Sequence, residues 1–228
     1  MSRAEQFDLK LWPTRDSHYR GFINKKDRKD YSGTVIVFHG NAGSALDRSY
    51  YVKPLARLGY RVVLSEYPGY GAREGYRCEA VISADAIEAV TIAIKEFGGP
   101  LYLWGESLGC GIAAHVVKQM GPDLQGVVLL TPWDSLPNLA QSLYRFLPVR
   151  LLIKDRFDNV ENLREFSRPT AILMAGQDEI IPNRLTKRLF ESFNGRKKMW
   201  TFPLAGHNSW PAAPDESWWA EVMDFVSR

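Results

Sequence analysis

The apolar, β-favouring stretch Leu101-Tyr102-Leu103-Trp104 runs straight into Gly105-Glu106-Ser107-Leu108-Gly109. A small-residue segment with helical character follows, Ile112-Ala113-Ala114-His115-Val116-Val117. No other run constrains the backbone as much. A strand, a tight turn and a helix with serine at the apex put that serine in a strained conformation. Glycines two positions before and after it lack the β-carbon that would hold strand and helix apart. The turn lifts the hydroxyl clear of the sheet, and the helix N-terminus behind it favours developing negative charge. Outside this context Gly-x-Ser-x-Gly is an ordinary glycine-rich turn. Within it, the pattern is a nucleophile elbow with Ser107 as nucleophile.

The rest of the chain supplies a sheet to hold such an elbow. Asp8 to Trp12 and His18 to Ile23 alternate as a hairpin pair turned by Pro13-Thr14-Arg15-Asp16. Buried strands are expected at Gly33 to His39, Arg61 to Tyr67, Leu124 to Thr131 and Thr170 to Ala175, and a further strand at Lys198 to Phe202. Helices are expected at Leu46 to Leu58, Glu79 to Phe97, Arg184 to Phe193 and Glu216 to Val226. On the second of these, Ala80, Ile82, Ala86, Ile87, Val90 and Ile94 form the apolar face. Strands alternating with helices predict an α/β fold with a mostly parallel central sheet covered by helices on both faces. Ligands in such sheets gather at the carboxyl ends of the strands, where Ser107 and the loops after Phe38 and Ala175 fall. Trp133 to Arg168 breaks the rhythm with two short helical stretches, Leu139 to Leu147 and Val149 to Phe157. That predicts a helical lid inserted at 133–168 within a single domain spanning 1–228.

Bulk properties narrow the partners. At 228 residues the chain is long enough for one large core, and its 45% hydrophobic and 24% charged content is that of a globular protein. The net charge of +3 comes from basic residues mixed with acids, as in Lys25-Lys26-Asp27-Arg28-Lys29-Asp30, which speaks against nucleic acid. The two cysteines, Cys78 and Cys110, fit no metal or disulfide spacing. No signal-like segment or membrane-length apolar stretch stands out, so a cytoplasmic location without stable membrane insertion is the expectation.

A serine hydroxyl needs a base, a group to orient that base, and donors for the oxyanion. Among the four histidines, His18 lies in the first hairpin, His115 sits two turns into the helix behind Ser107, and His39 is placed to brace the loop it opens. His207, in Leu204-Ala205-Gly206-His207-Asn208 after the last strand, can reach over the elbow and is the candidate base. Asp178 ends the strand Ala171 to Ala175 and its loop, and is the candidate orienting acid. Glu179 and Asp134 are its rivals, and its competing role is a turn or capping aspartate. The chain order Ser, Asp, His is that of the α/β hydrolases. The oxyanion donors are expected to be the N–H of Leu108 and an N–H from His39-Gly40-Asn41-Ala42-Gly43. Asn41 is favoured there, with Ala42 its neighbour.

Five motifs in order carry a family resemblance: His-Gly-Asn-Ala-Gly at 39–43, Tyr-Pro-Gly-Tyr-Gly at 67–71, Gly-Glu-Ser-Leu-Gly at 105–109, Gly-Gln-Asp at 176–178 and Gly-His-Asn at 206–208. With them the chain resembles the α/β-hydrolase superfamily over nearly its whole length. Within it, the chain is similar to small serine hydrolases related to the eukaryotic depalmitoylating hydrolases and their bacterial relatives. The resemblance implies the α/β-hydrolase fold, a Ser107–His207–Asp178 triad, and ester or thioester hydrolysis through an acyl-enzyme with no metal or organic cofactor. The chain lacks the cysteine-rich or membrane-anchored N-terminus of the depalmitoylating members, and Ala72-Arg73-Glu74-Gly75 stands where relatives often carry a serine.

The expected substrate is a small molecule or acyl group. The insertion is rich in apolar side chains: Trp133, Leu136, Leu139, Leu143, Tyr144, Phe146, Leu147, Leu151 and Leu152 either line an acyl pocket or pack the lid down. Arg145, Arg150, Lys154 and Arg156 give it a basic edge. Trp210 can wall the site, and Trp218 and Trp219 bury a helix face. A peptidase or amidase with the same triad and a silent binding protein of this fold are the alternatives.

Overall fold

The computed structural model describes residues 3–13, 19–25, 30–144 and 146–228. Eight strands form one sheet: β1 (Leu9–Trp12), β2 (Gly21–Asn24), β3 (Gly33–Phe38), β4 (Tyr60–Ser65), β5 (Leu101–Glu106), β6 (Gly126–Leu130), β7 (Thr170–Ala175) and β8 (Lys197–Phe202). Their order is β1-β2-β4-β3-β5-β6-β7-β8. Every neighbouring pair from β4 to β8 is parallel, and β1 and β2 add an antiparallel hairpin at one edge. The helices are α1 (Arg3–Gln6), α2 (Val52–Arg57), α3 (Glu79–Phe97), α4 (Leu108–Met120), α5 (Leu136–Leu143), α6 (Val149–Leu152), α7 (Asn159–Leu163), α8 (Asn183–Ser192) and α9 (Trp218–Ser227).

Side chains alternate across each strand, so every apolar run feeds two cores. In β3, Ile36 and Phe38 pack with α3, α4 and Leu163 of α7, while Val35 and Val37 pack on the other face with α2 and α9. The second face is aromatic. Trp218 and Trp219 stack at 4.0 Å between ring centres, and Trp219 lies 5.3 Å from Trp104. That is the burial expected of this tryptophan pair.

Several elements differ from the sequence reading, each for a local reason. The helix expected at Leu46 to Leu58 begins as a 3-10 helix (Ala45–Tyr51), and α2 starts only at Val52. Pro54 sits in the first turn of α2, where its missing N–H costs nothing, whereas one continuous helix would need that donor. Ala80 is exposed. The buried face of α3 instead includes Ser83, Asp85, Ala89 and Ala93. The second insertion helix covers only Val149–Leu152. Downstream, the Arg156 and Phe157 N–H groups donate to the Glu79 carboxylate, and Leu136 N–H donates to the Arg156 carbonyl. These long-range partners hold the backbone extended there. Phe157, Leu163 and Phe166 then join the main core. The predicted Pro13-Thr14-Arg15-Asp16 turn falls largely outside the described residues, as does His18.

The elbow is packed as its glycines require. A β-carbon on Gly109 would lie 1.9 Å from the Phe38 carbonyl oxygen, and one on Gly105 would lie 2.6 Å from the Gly109 carbonyl oxygen. Backbone atoms cannot give way as a flexible side chain can. Gly109→Ala is therefore expected to destabilise the protein by about 3 kcal/mol or more. A urea midpoint unchanged from the parent would contradict this packing.

Candidate active site

Ser107 joins β5 to α4 with φ 51° and ψ −115°, the strained turn expected of an elbow. Its N–H donates to the Leu130 carbonyl, and its own carbonyl accepts from Cys110 N–H. The hydroxyl is left at the carboxyl edge of the sheet.

The structure brings three distant segments together at that hydroxyl. His207 Nε2 lies 3.1 Å from Ser107 Oγ, and His207 Nδ1 lies 3.1 and 3.0 Å from the two carboxylate oxygens of Asp178. The imidazole side chain is 8% exposed and the carboxyl 2%. A carboxylate only accepts, so Nδ1 carries the proton and Nε2 turns a lone pair to the hydroxyl. Asp178 also accepts from the Ile180 and Ile181 N–H groups, at 2.9 and 2.7 Å, which fixes its orientation. Hydroxyl, imidazole and carboxylate in series can pass a proton from oxygen to ring.

The loop carrying His207 is held from both sides. Its N–H donates to Glu179 and its carbonyl accepts from Trp210 Nε1. That first hydrogen bond keeps the exposed Glu179 carboxyl below its ordinary pKa. Glu179 thus tethers the backbone of His207 and does not meet its ring. Trp210 supports the loop against Phe202, at 4.8 Å between ring centres, and is not among the residues that line the cavity over Ser107. Asp134 is occupied elsewhere, accepting from Asn138 and pairing with Arg188. His115 on α4 lies beside Glu79 of α3, and burial lowers its pKa. Cys110 is buried under the elbow, donating to the Leu130 carbonyl, and burial pushes its thiol well up.

The 39–43 loop is braced by groups that its own sequence does not contain. His39 is almost fully buried, with Nδ1 2.7 Å from the Gly40 carbonyl and Nε2 2.9 Å from Glu66. Tyr67 donates to the His39 carbonyl and Tyr70 to the Asn41 side-chain oxygen, both at 2.7 Å. This is where the 67–71 motif does its work, a role that spacing alone did not reveal. Glu66 is tied in turn to the edge hairpin. Arg73 donates to its carbonyl and to Asp85, and Asp85 also pairs with Arg20 just before β2. A second carboxylate, Glu106, stands next to Ser107 and accepts from Arg48, Tyr50 and Tyr51. Burial, then the Glu106 charge, raises the Tyr50 phenol far above its ordinary value, so it remains a donor.

A cavity of about 340 Å³ opens over the serine. Asn41, Ser107 and Leu108 line one side; Trp133, Leu136, Leu139 and Phe157 form an apolar wall; Tyr70, Arg77 and Asp155 add polar groups. The insertion therefore splits. Its first apolar residues line the cavity, whereas Leu143, Tyr144, Phe146, Leu147, Leu151 and Leu152 neither line it nor pack down and are exposed. Arg145 lies outside the described residues. Among those described, no group of three or more His, Cys, Asp or Glu side chains is arranged to hold a metal ion, and no helix is long and apolar enough to cross a membrane.

Comparison with known proteins agrees with this architecture. The sequence model of the family described as serine aminopeptidase, S33, matches residues 29–156. An uncharacterized protein of Mycobacterium tuberculosis is 32% identical over 177 residues, covering 76% of this chain and 62% of that protein. The lysophosphatidylserine lipase ABHD12 of Danio rerio is 32% identical over 188 residues, covering 72% of this chain and 49% of that one. The chain thus spans 62% and 49% of the lengths of these two relatives. Among solved structures, an esterase of Pyrococcus furiosus superposes with a TM-score of 0.77 at 15% identity, covering 98% of this chain and 92% of the other. Est1E of Butyrivibrio proteoclasticus, with ferulic acid bound, gives 0.73 at 16% identity, covering 91% and 97%. At such identities the likeness concerns the fold, which is that of the α/β hydrolases.

Proposed function

Because the chain belongs to the serine aminopeptidase S33 family of α/β hydrolases, we propose that it is a serine hydrolase of carboxylic esters or thioesters with a modest acyl group. One observation carries this reading: Ser107 Oγ, His207 Nε2 and Asp178 stand in hydrogen-bonded series although 100 and 29 residues separate the successive partners.

His207 Nε2 takes the Ser107 proton as Oγ attacks the acyl carbon. Asp178 holds the ring in the required tautomer and stabilises the imidazolium that forms. The Leu108 N–H and an N–H of the 39–43 loop receive the oxyanion, with Asn41 favoured because it lines the cavity beside Ser107. The tetrahedral intermediate collapses, His207 protonates the departing alcohol or thiol, and an acyl-Ser107 ester remains. Water then attacks that ester by the same steps, with His207 again as base.

The cavity's size lies near the lower end of ligand sites, roughly 300–1,000 Å³, which supports a short or medium acyl group. The family's description also raises a peptidase reading. An aminopeptidase has to hold a substrate ammonium, yet the cavity offers one carboxylate, Asp155, together with Arg77 and a mostly apolar wall. That favours the ester. In a p-nitrophenyl ester series, turnover is expected to peak at short to medium acyl chains and fall for long ones. A fluorophosphonate probe is expected to label Ser107. Faster cleavage of aminoacyl amides than of any ester in the series would instead establish the peptidase.

A further inference from the structure

In the exposed half of the insertion, large apolar side chains are left uncovered by the described residues. Phe146 is 99% exposed, Leu151 86% and Leu152 71%, and Leu143, Tyr144 and Leu147 are each more than half exposed. Single exposed leucines need no explanation, but six large apolar side chains within ten residues mark an interaction surface. The turn between α5 and α6 is held in shape, because Gln141 donates to the carbonyls of Tyr144 and Leu147. The segment is flanked in sequence by residues of the Ser107 cavity, Leu139 before it and Asp155 after it.

Charge identifies what covers this surface. The stretch 143–156 holds four basic residues, Arg145, Arg150, Lys154 and Arg156, against the single acid Asp155. Its net charge of +3 equals that of the whole chain, so the remainder is neutral in balance. Beside the apolar tip, Arg150 of α6 meets Arg184 and Arg188 of α8 around an open hollow of about 570 Å³ that Asn138, Gln141 and Ser142 also line. Arg188 pairs with Asp134 and Arg150 donates to Asn138, so Arg184 and the remaining N–H donors of the other two guanidinium groups are what the hollow offers to phosphate oxygens. A second copy of the chain fits poorly, since a two-fold contact through this patch would press one basic rim against another. Exposed apolar side chains interspersed in sequence with basic residues and bordered by an arginine-lined hollow are the pattern of a segment that lies in a membrane interface.

We propose that the 143–152 segment docks the protein on anionic lipid bilayers. Leu151, Leu152 and Phe146 enter the acyl boundary, the Arg150–Arg184–Arg188 hollow takes lipid phosphates, and the Ser107 cavity is held at the lipid surface. This rests on the serine hydrolase reading for its purpose but not for its test, because binding is measured without turnover.

The test is co-sedimentation of the full chain with phosphatidylcholine vesicles, with and without phosphatidylglycerol at about a third of the lipid. The parent and Ser107→Ala are expected to pellet alike with the anionic vesicles and about tenfold less with the neutral ones. The pair Leu151→Ser/Leu152→Ser is expected to bind at least about tenfold less to both. The pair Arg150→Gln/Arg184→Gln is expected to lose the preference for anionic lipid. Melting by circular dichroism and turnover of a soluble short-chain ester should match the parent in both variants, since none of these four residues touches the Ser107 cavity. A parent that stays in the supernatant, or leucine variants that pellet like the parent, would overturn the proposal. So would light scattering that finds a dimer which the leucine variant dissolves. Were Ser107→Ala to keep full turnover while still pelleting, the catalytic reading would fail and the docking would stand.

Discussion

Ser107→Ala is expected to cut ester turnover by about 10⁵- to 10⁶-fold without abolishing it, while the thermal midpoint stays near that of the parent. The loss is large because no other group replaces Oγ 3.1 Å from His207 Nε2. The residue of activity comes from donors that remain to polarise a bound carbonyl. His207→Ala should be about as deep a loss, since an unactivated hydroxyl is a weak nucleophile, and the double variant should be no deeper than either one. Groups that act as a unit are lost together. The measurement is steady-state hydrolysis of a short p-nitrophenyl ester beside active-site titration. Either single variant within about tenfold of the parent would remove this serine or this imidazole from the mechanism.

The second large effect is Asp178→Asn, expected to lower kcat by about 10⁴-fold. The substitution changes little in shape. The amide oxygen can keep the Ile180 and Ile181 N–H bonds, which leaves the NH2 group facing His207 Nδ1. A donor there demands a lone pair on Nδ1, so the ring proton moves to Nε2 and faces Ser107. The base is then in place with its proton on the wrong nitrogen. A folded Asp178→Asn protein with nearly full kcat would mean that Asp178 positions the loop without orienting the ring.

Ser107, His207 and Asp178 were legible as candidates because strand–turn–helix punctuation is local. Gly105 and Gly109 announce the elbow, and a loop after each late strand leaves few places for a base and an acid. The same logic held for the buried strands, whose β-branched and aromatic runs are unlike their surroundings. What escaped the sequence depended on contacts between distant segments. The Glu79 carboxylate stops the 149–157 helix early from 77 residues away. Pro54 splits a helix that periodicity alone would run straight through. Trp210 was a wall by proximity to His207 in sequence, yet its indole turns back to the loop carbonyl. The insertion's leucines could not be divided by type. Leu139 and Leu151 have the same chemistry, and only the path of the chain makes one a cavity wall and the other a protrusion.

The hairpin at the sheet edge has a wider consequence. The family match starts at residue 29, beyond both β1 and β2. Arg20, just ahead of β2, sits 7% exposed against Asp85, whose other partner Arg73 also grips the backbone of Glu66 behind the 39–43 loop. A fragment trimmed to the matched boundary would take one cation from a buried carboxylate and lean the whole load on Arg73, the residue that also steadies Glu66. Leaving a buried charge short of partners is costly. The opening residues thus act as a keystone for a loop whose chemistry lies elsewhere, and the smallest working unit of this fold is longer than the stretch by which its kin are recognised.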